Sequence, residues 1–301
     1  VVPTDRTAGV GIAVDINHRD GLHETNRYYL LRTTDGGRSF DAALRSPQPL
    51  SLIVAMIDGQ RIWTVTGNCA AARFRLHRTT DGGRRWQSDP IFGPDCNAGS
   101  EDVIQFRDAR HGVLTVIFAT GPGADLYRTN DGGRHWRHIS SVRQYAEGHR
   151  LGLPNDVPVV LGSGGGLWLG GVFCCGMSGT GLWRSRDGLR WSRVGFPRRH
   201  VAFGQPSVFG RTVIEPVLPE STGGRLAVFR SRDAGASWRR LPLHLPRAAQ
   251  PSTADDLTAS SSHTFWLRVF RPSGDLLFVT RDAGRRWHRV WLRRIIRALR
   301  R

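Results

Sequence analysis

The chain has 301 residues, of which 43 are basic and 25 acidic, for a net charge of +18, and every basic side chain apart from histidine is arginine. No run of eighteen apolar residues occurs, which excludes a conventional membrane-spanning helix in this sequence. The absence of lysine points to GC-rich bacterial coding as much as to function, while the excess charge favours weak, salt-sensitive adhesion to polyanions.

The chain opens on Val1–Thr4, short for a strand and without an initiating Met, and a trimmed N-terminus is expected. The first of six related phrases follows, Thr33-Thr-Asp35-Gly-Gly-Arg-Ser-Phe40, and the second and third are Thr79-Thr-Asp81-Gly-Gly-Arg-Arg-Trp86 and Thr129-Asn-Asp131-Gly-Gly-Arg-His-Trp136. Three looser copies complete the series: Ser185-Arg-Asp187-Gly-Leu-Arg-Trp191, Ser231-Arg-Asp233-Ala-Gly-Ala-Ser-Trp238 and Thr280-Arg-Asp282-Ala-Gly-Arg-Arg-Trp287. The aspartates are 46, 50, 56, 46 and 49 positions apart. Strand-like segments flank each copy, as in Asp102–Phe106, Val113–Thr120 and Leu126–Thr129 around the third. Repetition at this period predicts an all-β fold: a β-propeller of six, alternatively seven, four-stranded blades over residues 1–290, followed by a basic tail, 291–301.

The phrase has the chemistry of a tight turn. An Asp carboxylate can accept from downstream backbone N–H groups, the Ser/Thr hydroxyl adds a local bond, and glycine supplies a positive φ. The aromatic residue starts the next strand and buries a large surface. Asp35, Asp81, Asp131, Asp187, Asp233 and Asp282 are accordingly read as scaffold, with no metal site and no cofactor expected.

These residues resemble the Asp-box, or bacterial neuraminidase repeat, Ser/Thr-x-Asp-x-Gly-x-x-Trp; the fourth copy is one residue shorter, and Phe40 replaces Trp in the first. In that family the box joins the third and fourth strands of a blade, on the face opposite the usual ligand site. The resemblance therefore places recognition on the far face. Candidate ligand-binding residues there are Arg143, Tyr145, Glu147, His149 and Arg150 in one long connection, and Arg198, Arg199 and His200 in another. Gln48, Gln205 and Gln250, each preceding a proline, are expected where inner strands begin.

The phrase Phe106-Arg-Asp108-Ala-Arg-His-Gly112 and the short blades look like the propellers of photosystem II assembly factors and related bacterial proteins, which implies a non-catalytic module binding a polypeptide. A protein or glycan ligand and a monomeric state are expected, and no recognition helix or RNA-binding motif points to specific nucleic-acid binding. The alternative is a sialidase-type glycoside hydrolase, whose family uses a Tyr nucleophile assisted by Glu, an Asp acid and an arginine triad. Tyr145 and Glu147 are then the candidates; the family's Arg-Ile-Pro motif is absent, and Gln205 stands where a Glu would be expected.

Of four cysteines, Cys69 and Cys96 fall in loops expected on one face, and a bridge between them suits an exported location, extracellular, periplasmic or at the cell surface. Cys174 and Cys175 are adjacent, too close for an unstrained bridge and wrongly spaced for zinc. In the tail, Leu292, Ile295, Ile296 and Leu299 at helical spacing among arginines could lie on an anionic membrane surface; the plainer reading is that 290–292 ends the last strand.

Overall fold

The structure, a computed structural model, describes residues 2–3, 9–14, 18–20, 23–25, 28–33, 35, 39–46, 50–57, 59–68, 73–91, 103–117, 123–143, 159–162, 164–171, 181–198, 201–219, 226–245, 257–269 and 276–291. It is an all-β propeller, and every blade is antiparallel with its strands in chain order from the inside out. Sheet one comprises Val2–Pro3, Gly9–Val14, Tyr28–Thr33 and Asp41–Ser46; sheet two Leu50–Met56, Ile62–Asn68, Arg73–Thr79 and Gln87–Ile91. Sheet three comprises Val103–Phe106, Gly112–Ile117, Gly123–Thr129 and Arg137–Arg143; sheet four Val160–Leu161, Leu167–Gly171, Gly181–Ser185 and Trp191–Arg193. Sheet five holds Val201–Phe203, Ser207–Phe209, Thr212–Pro219, Ala227–Ser231 and Arg239–Leu241, and sheet six Leu257–Ala259, Phe265–Val269, Leu276–Thr280 and His288–Val290.

The expectation of six or seven four-stranded blades is corrected to five. Five sheets are four-stranded, whereas sheet five has five strands, because its innermost position is split. Val201–Phe203 and Ser207–Phe209 pair with the same neighbour, so Gly204, Gln205 and Pro206 stand against two residues, Glu215 and Pro216, as a bulge. A further two-stranded ribbon, His18–Asp20 with His23–Thr25, interrupts sheet one and was not foreseen.

Apolar residues of facing sheets interlock between neighbours. Trp63 and Val65 meet Ile104, Leu114 and Val116 between sheets two and three, and Trp168, Leu182, Val213 and Val217 join sheets four and five. The ring closes where Phe40 packs on Trp266, Leu277, Val279 and Val290 of sheet six. At about 25 cal/mol per Å² of apolar surface, these inter-sheet cores are the main force holding the blades together.

The six Asp-containing turns all follow a third strand, and their bonds are local. In the third copy the Thr129 hydroxyl donates to Asp131 Oδ1 at 2.8 Å and accepts from Gly133 N–H at 2.9 Å, while Asp131 Oδ1 takes the N–H groups of Arg134 and His135. The shortened fourth copy keeps this chemistry one residue tighter: Gly188 N–H reaches Ser185 Oγ at 2.8 Å, and Leu189 and Arg190 donate to Asp187. Four of these turns are also clipped to the first-to-second-strand turn of their own sheet, by Gly82 N–H to Gln60 O, Gly132 N–H to Arg110 O, Ala234 N–H to Arg211 O and Ala283 N–H to His263 O. Both sets of turns therefore occupy one end of the ring.

Ala234 and Ala283 hold φ of 58° and 59°, where Gly82 and Gly132 stand in the earlier copies. A left-handed conformation costs a Cβ-bearing residue about 1–2 kcal/mol, partly offset by the entropy glycine loses. Ala234→Gly and Ala283→Gly should each stabilise the fold by about 0.5–1 kcal/mol, read as a higher denaturant midpoint; a lower midpoint in both would contradict this account.

Candidate functional site

A concavity of about 660 Å³ lies at the turn end, between sheets two and three. Its lining is contributed by Arg61 and Trp63 at the start of a second strand, Arg78 with the turn Thr79–Asp81, then Arg85 and Gln87, and on the far wall Ala109, Arg110, Asp131, Gly132 and Arg134. Five guanidinium groups thus face a cleft whose only carboxylates among the described residues are Asp81 and Asp131.

The cleft exists because two turns meet over an aromatic plug. Trp63 is buried, stacks on Phe106 with centroids 4.0 Å apart, and donates its indole N–H to Gly132 O at 3.1 Å. That bond fixes the third turn against sheet two. Arg78 is held by a donation from Nε to Gln87 Oε1 at 3.1 Å and by an ion pair with Asp89 at 2.7 Å; its side chain is 15% exposed, and its buried Nη1 meets no acceptor among the described residues. Arg85, Arg110 and Arg134 are exposed at the mouth. Further exposed arginines follow the same rim, among them Arg84, Arg190, Arg232 and Arg286, so the turn end carries a cationic rim.

The turn aspartates carry their charge securely. Arg190 N–H, helped by Leu189 N–H and Ser185, holds Asp187 down to about 2, and the Ser237 hydroxyl and N–H do the same for Asp233. Such carboxylates are acceptors throughout the physiological range and have no proton to give.

The residues predicted for the far face are placed in part. Arg143 ends the outer strand of sheet three, and Arg198 is exposed in the connection from sheet four to sheet five; both lie beyond strands running away from the turns. Gln205 is exposed in the bulge between the two inner segments, directly ahead of Pro206 and the strand Ser207–Phe209. Tyr145, Glu147, His149, Arg150, Arg199, His200, Gln48 and Gln250 lie outside the described residues, as do Cys69, Cys96, Cys174, Cys175 and 292–301. Val290 does complete the last strand, with Arg289 stacked 4.1 Å over the exposed Trp291 ring.

Sequence reasoning missed the cleft and one buried carboxyl, Glu215, although the arginine-rich turns carried the signal for the former. Glu215 is fully buried on the strand between Val213 and Val217, neither oxygen has a hydrogen-bond partner among the described residues, and burial pushes its pKa well above the usual carboxylate range.

No known family profile matches the chain, and no curated protein is similar to it in sequence. In fold it is similar to TolB from Acinetobacter baumannii (TM-score 0.54, 16% identity, 86% of this chain and 58% of that one). It is also similar to a GH74 enzyme from Niastella koreensis (0.52, 13%, 96% and 46%) and to the GH74 xyloglucanase from Xanthomonas campestris (0.51, 16%, 88% and 43%). The chain spans roughly half the length of these proteins, and at such identities the likeness is one of propeller architecture.

Proposed function

We propose that this chain is a non-catalytic binding or assembly module: an exported, monomeric propeller on Asp-box turns that recognises a protein, polyanionic or glycan ligand at the end opposite the turns. The observation that supports it is how the following carboxylates are spent. Asp81, Asp131, Asp187, Asp233 and Asp282 accept from their own turns, Asp108 is tied to Arg107 and His111, Asp125 to Ser141 and His138, and Asp89 to Arg78. Glu215 is sealed in the core. General acid–base work needs a carboxyl within reach of a substrate and tuned toward the working pH, and these are committed to scaffold roles instead. A glycan ligand also agrees with the GH74 proteins that share the fold.

The sialidase-type alternative would place Tyr145 and Glu147 as nucleophile and assisting base, and one assay separates the readings. A fluorogenic sialoside should release no aglycone above buffer, while a glycan array probed with the intact chain should retain ligands. The triple variant Arg198→Ala, Arg199→Ala, His200→Ala should weaken that retention about fivefold. Sialoside turnover, or retention unaltered in the triple variant, would overturn the proposal.

A further inference from the structure

We infer that the cleft between sheets two and three is a second binding site, on the turn end of the ring, for the acidic sugar units of a carboxylated polysaccharide. Its volume of about 660 Å³ falls within the range of small-ligand sites, which run from about 300 to 1,000 Å³. The guanidinium groups of Arg61, Arg78, Arg85, Arg110 and Arg134 supply planar donor forks of the kind that hold carboxylates through paired hydrogen bonds. Arg78 is fixed before any ligand arrives, since Gln87 and Asp89 occupy its Nε and Nη2. Exposed Arg85, Arg110 and Arg134 would add attraction at the mouth and draw anions in.

The rest of the lining selects among anions. Asp81 and Asp131 also border the cleft and, held ionised by their turns, offer acceptors. Sugar hydroxyls can donate to such acceptors, whereas a phosphate chain carries no donors and would meet like charge there. Single-stranded nucleic acid is disfavoured for a different reason. Its binding sites use exposed aromatic faces on which bases stack, and the cleft's aromatic residue, Trp63, is buried and already stacked on Phe106. This site shares no residue with the far-face ligand proposed above, so either can fail without the other.

The test is calorimetric titration of the intact chain with trigalacturonate, its methyl-esterified neutral counterpart and polyphosphate. Trigalacturonate should bind, more weakly as salt rises, and the neutral ester should not. Arg85→Ser with Arg134→Ser should weaken trigalacturonate about tenfold or more, with an unchanged thermal midpoint. Arg285→Ser with Arg286→Ser, which removes the same charge from the sixth turn, should leave binding within about twofold. An equal loss in both double variants would mean diffuse adhesion to the rim and overturn the site. Polyphosphate binding as tightly as trigalacturonate would overturn the sugar assignment, and no binding of trigalacturonate would overturn both.

Discussion

Replacing Glu215 by Gln or Met should raise the thermal midpoint of the protein, and the gain should widen as the pH rises. Glu215 alternates with Val213 and Val217 along one strand, and those two valines pack with Val160, Trp168 and Phe203 between sheets four and five. The carboxyl is fully buried, and the nearby Gly204 N–H is spent on Pro216 O at 2.8 Å. Desolvation therefore holds its folded pKa well above the value near 4.3 of an unfolded glutamate. The sign follows from linkage. The native state keeps a proton that the unfolded chain releases, so the contribution of this group is fully present below about pH 4.3 and is lost as pH climbs toward the folded value, at about 1.4 kcal/mol per pH unit. A carboxamide at this position cannot titrate, so E215Q should remove that slope. Met adds relief of a buried, unsatisfied polar group, worth about 1–3 kcal/mol. Melting curves at pH 5, 6.5 and 8 decide the matter: E215Q and parent should draw together at the acid end and separate toward the basic end, and the Met variant should show the same widening on top of a constant gain. Parallel curves would show that Glu215 is solvated or paired.

The inner edge of sheet five is bulged beside Glu215. Gly204 approaches so closely that a Cβ on it would lie 2.8 Å from Pro216 Cγ, and one on Gly170 would lie 2.7 Å from Gly204 O. Gly204, Gln205 and Pro206 occupy more of the inner edge than regular pairing allows, which turns Gln205 out to solvent while Pro206 is buried. Exposed amide and sealed carboxyl thus stand side by side at one irregularity of the inner edge of sheet five.

That irregularity also marks where the amino-acid sequence stopped being informative. The six turns were legible because their chemistry is local: a hydroxyl, a carboxylate, a glycine and an aromatic residue within a few positions of each other, repeated. The strands around them were legible from runs such as Val113–Ile117 and Leu276–Thr280. Three features were not, two of them because they depend on contacts distant in sequence. The ribbon at His18–Thr25 lacks the apolar alternation of the blades. Glu215 sits in a run of Val, Ile and Pro that announces a strand, but its burial depends on what sheet four presents to it. The cleft depends on turns 50 residues apart converging, with Trp63 reaching across 69 positions to Gly132. The rim charge was visible in composition; its concentration into one concavity was not.

The second large effect concerns how each turn seats on the blade before it. Gly83→Ala should destabilise the protein by about 2–5 kcal/mol, whereas Gly210→Ala should cost only about 0.5–1 kcal/mol. Gly83 holds φ of +94°, and a Cβ there would lie 2.6 Å from Ala43 O and 3.0 Å from Ala43 Cα and Cβ, all in the outer strand of sheet one. The nearest atom is a backbone oxygen in a paired strand, which cannot rotate away as a side chain would. The same oxygen accepts the Trp86 indole N–H at 3.0 Å, so displacing it would also loosen an inter-blade bond. Gly210 has φ of +60° with nothing within 4 Å of its would-be Cβ, so only the left-handed backbone opposes a side chain. Ala234 and Ala283 already occupy that region, at φ of 58° and 59°, and alanine is evidently tolerated there. Gly133, whose Cβ would meet the Leu76 side chain at 2.7 Å, should fall between the two, because a leucine methyl can yield where a carbonyl cannot. Denaturant midpoints of the three alanine variants should therefore rank Gly210 above Gly133 above Gly83. Equal losses would mean that backbone conformation alone makes these turns need glycine; the predicted order would locate the joint between blades at the second glycine of each turn.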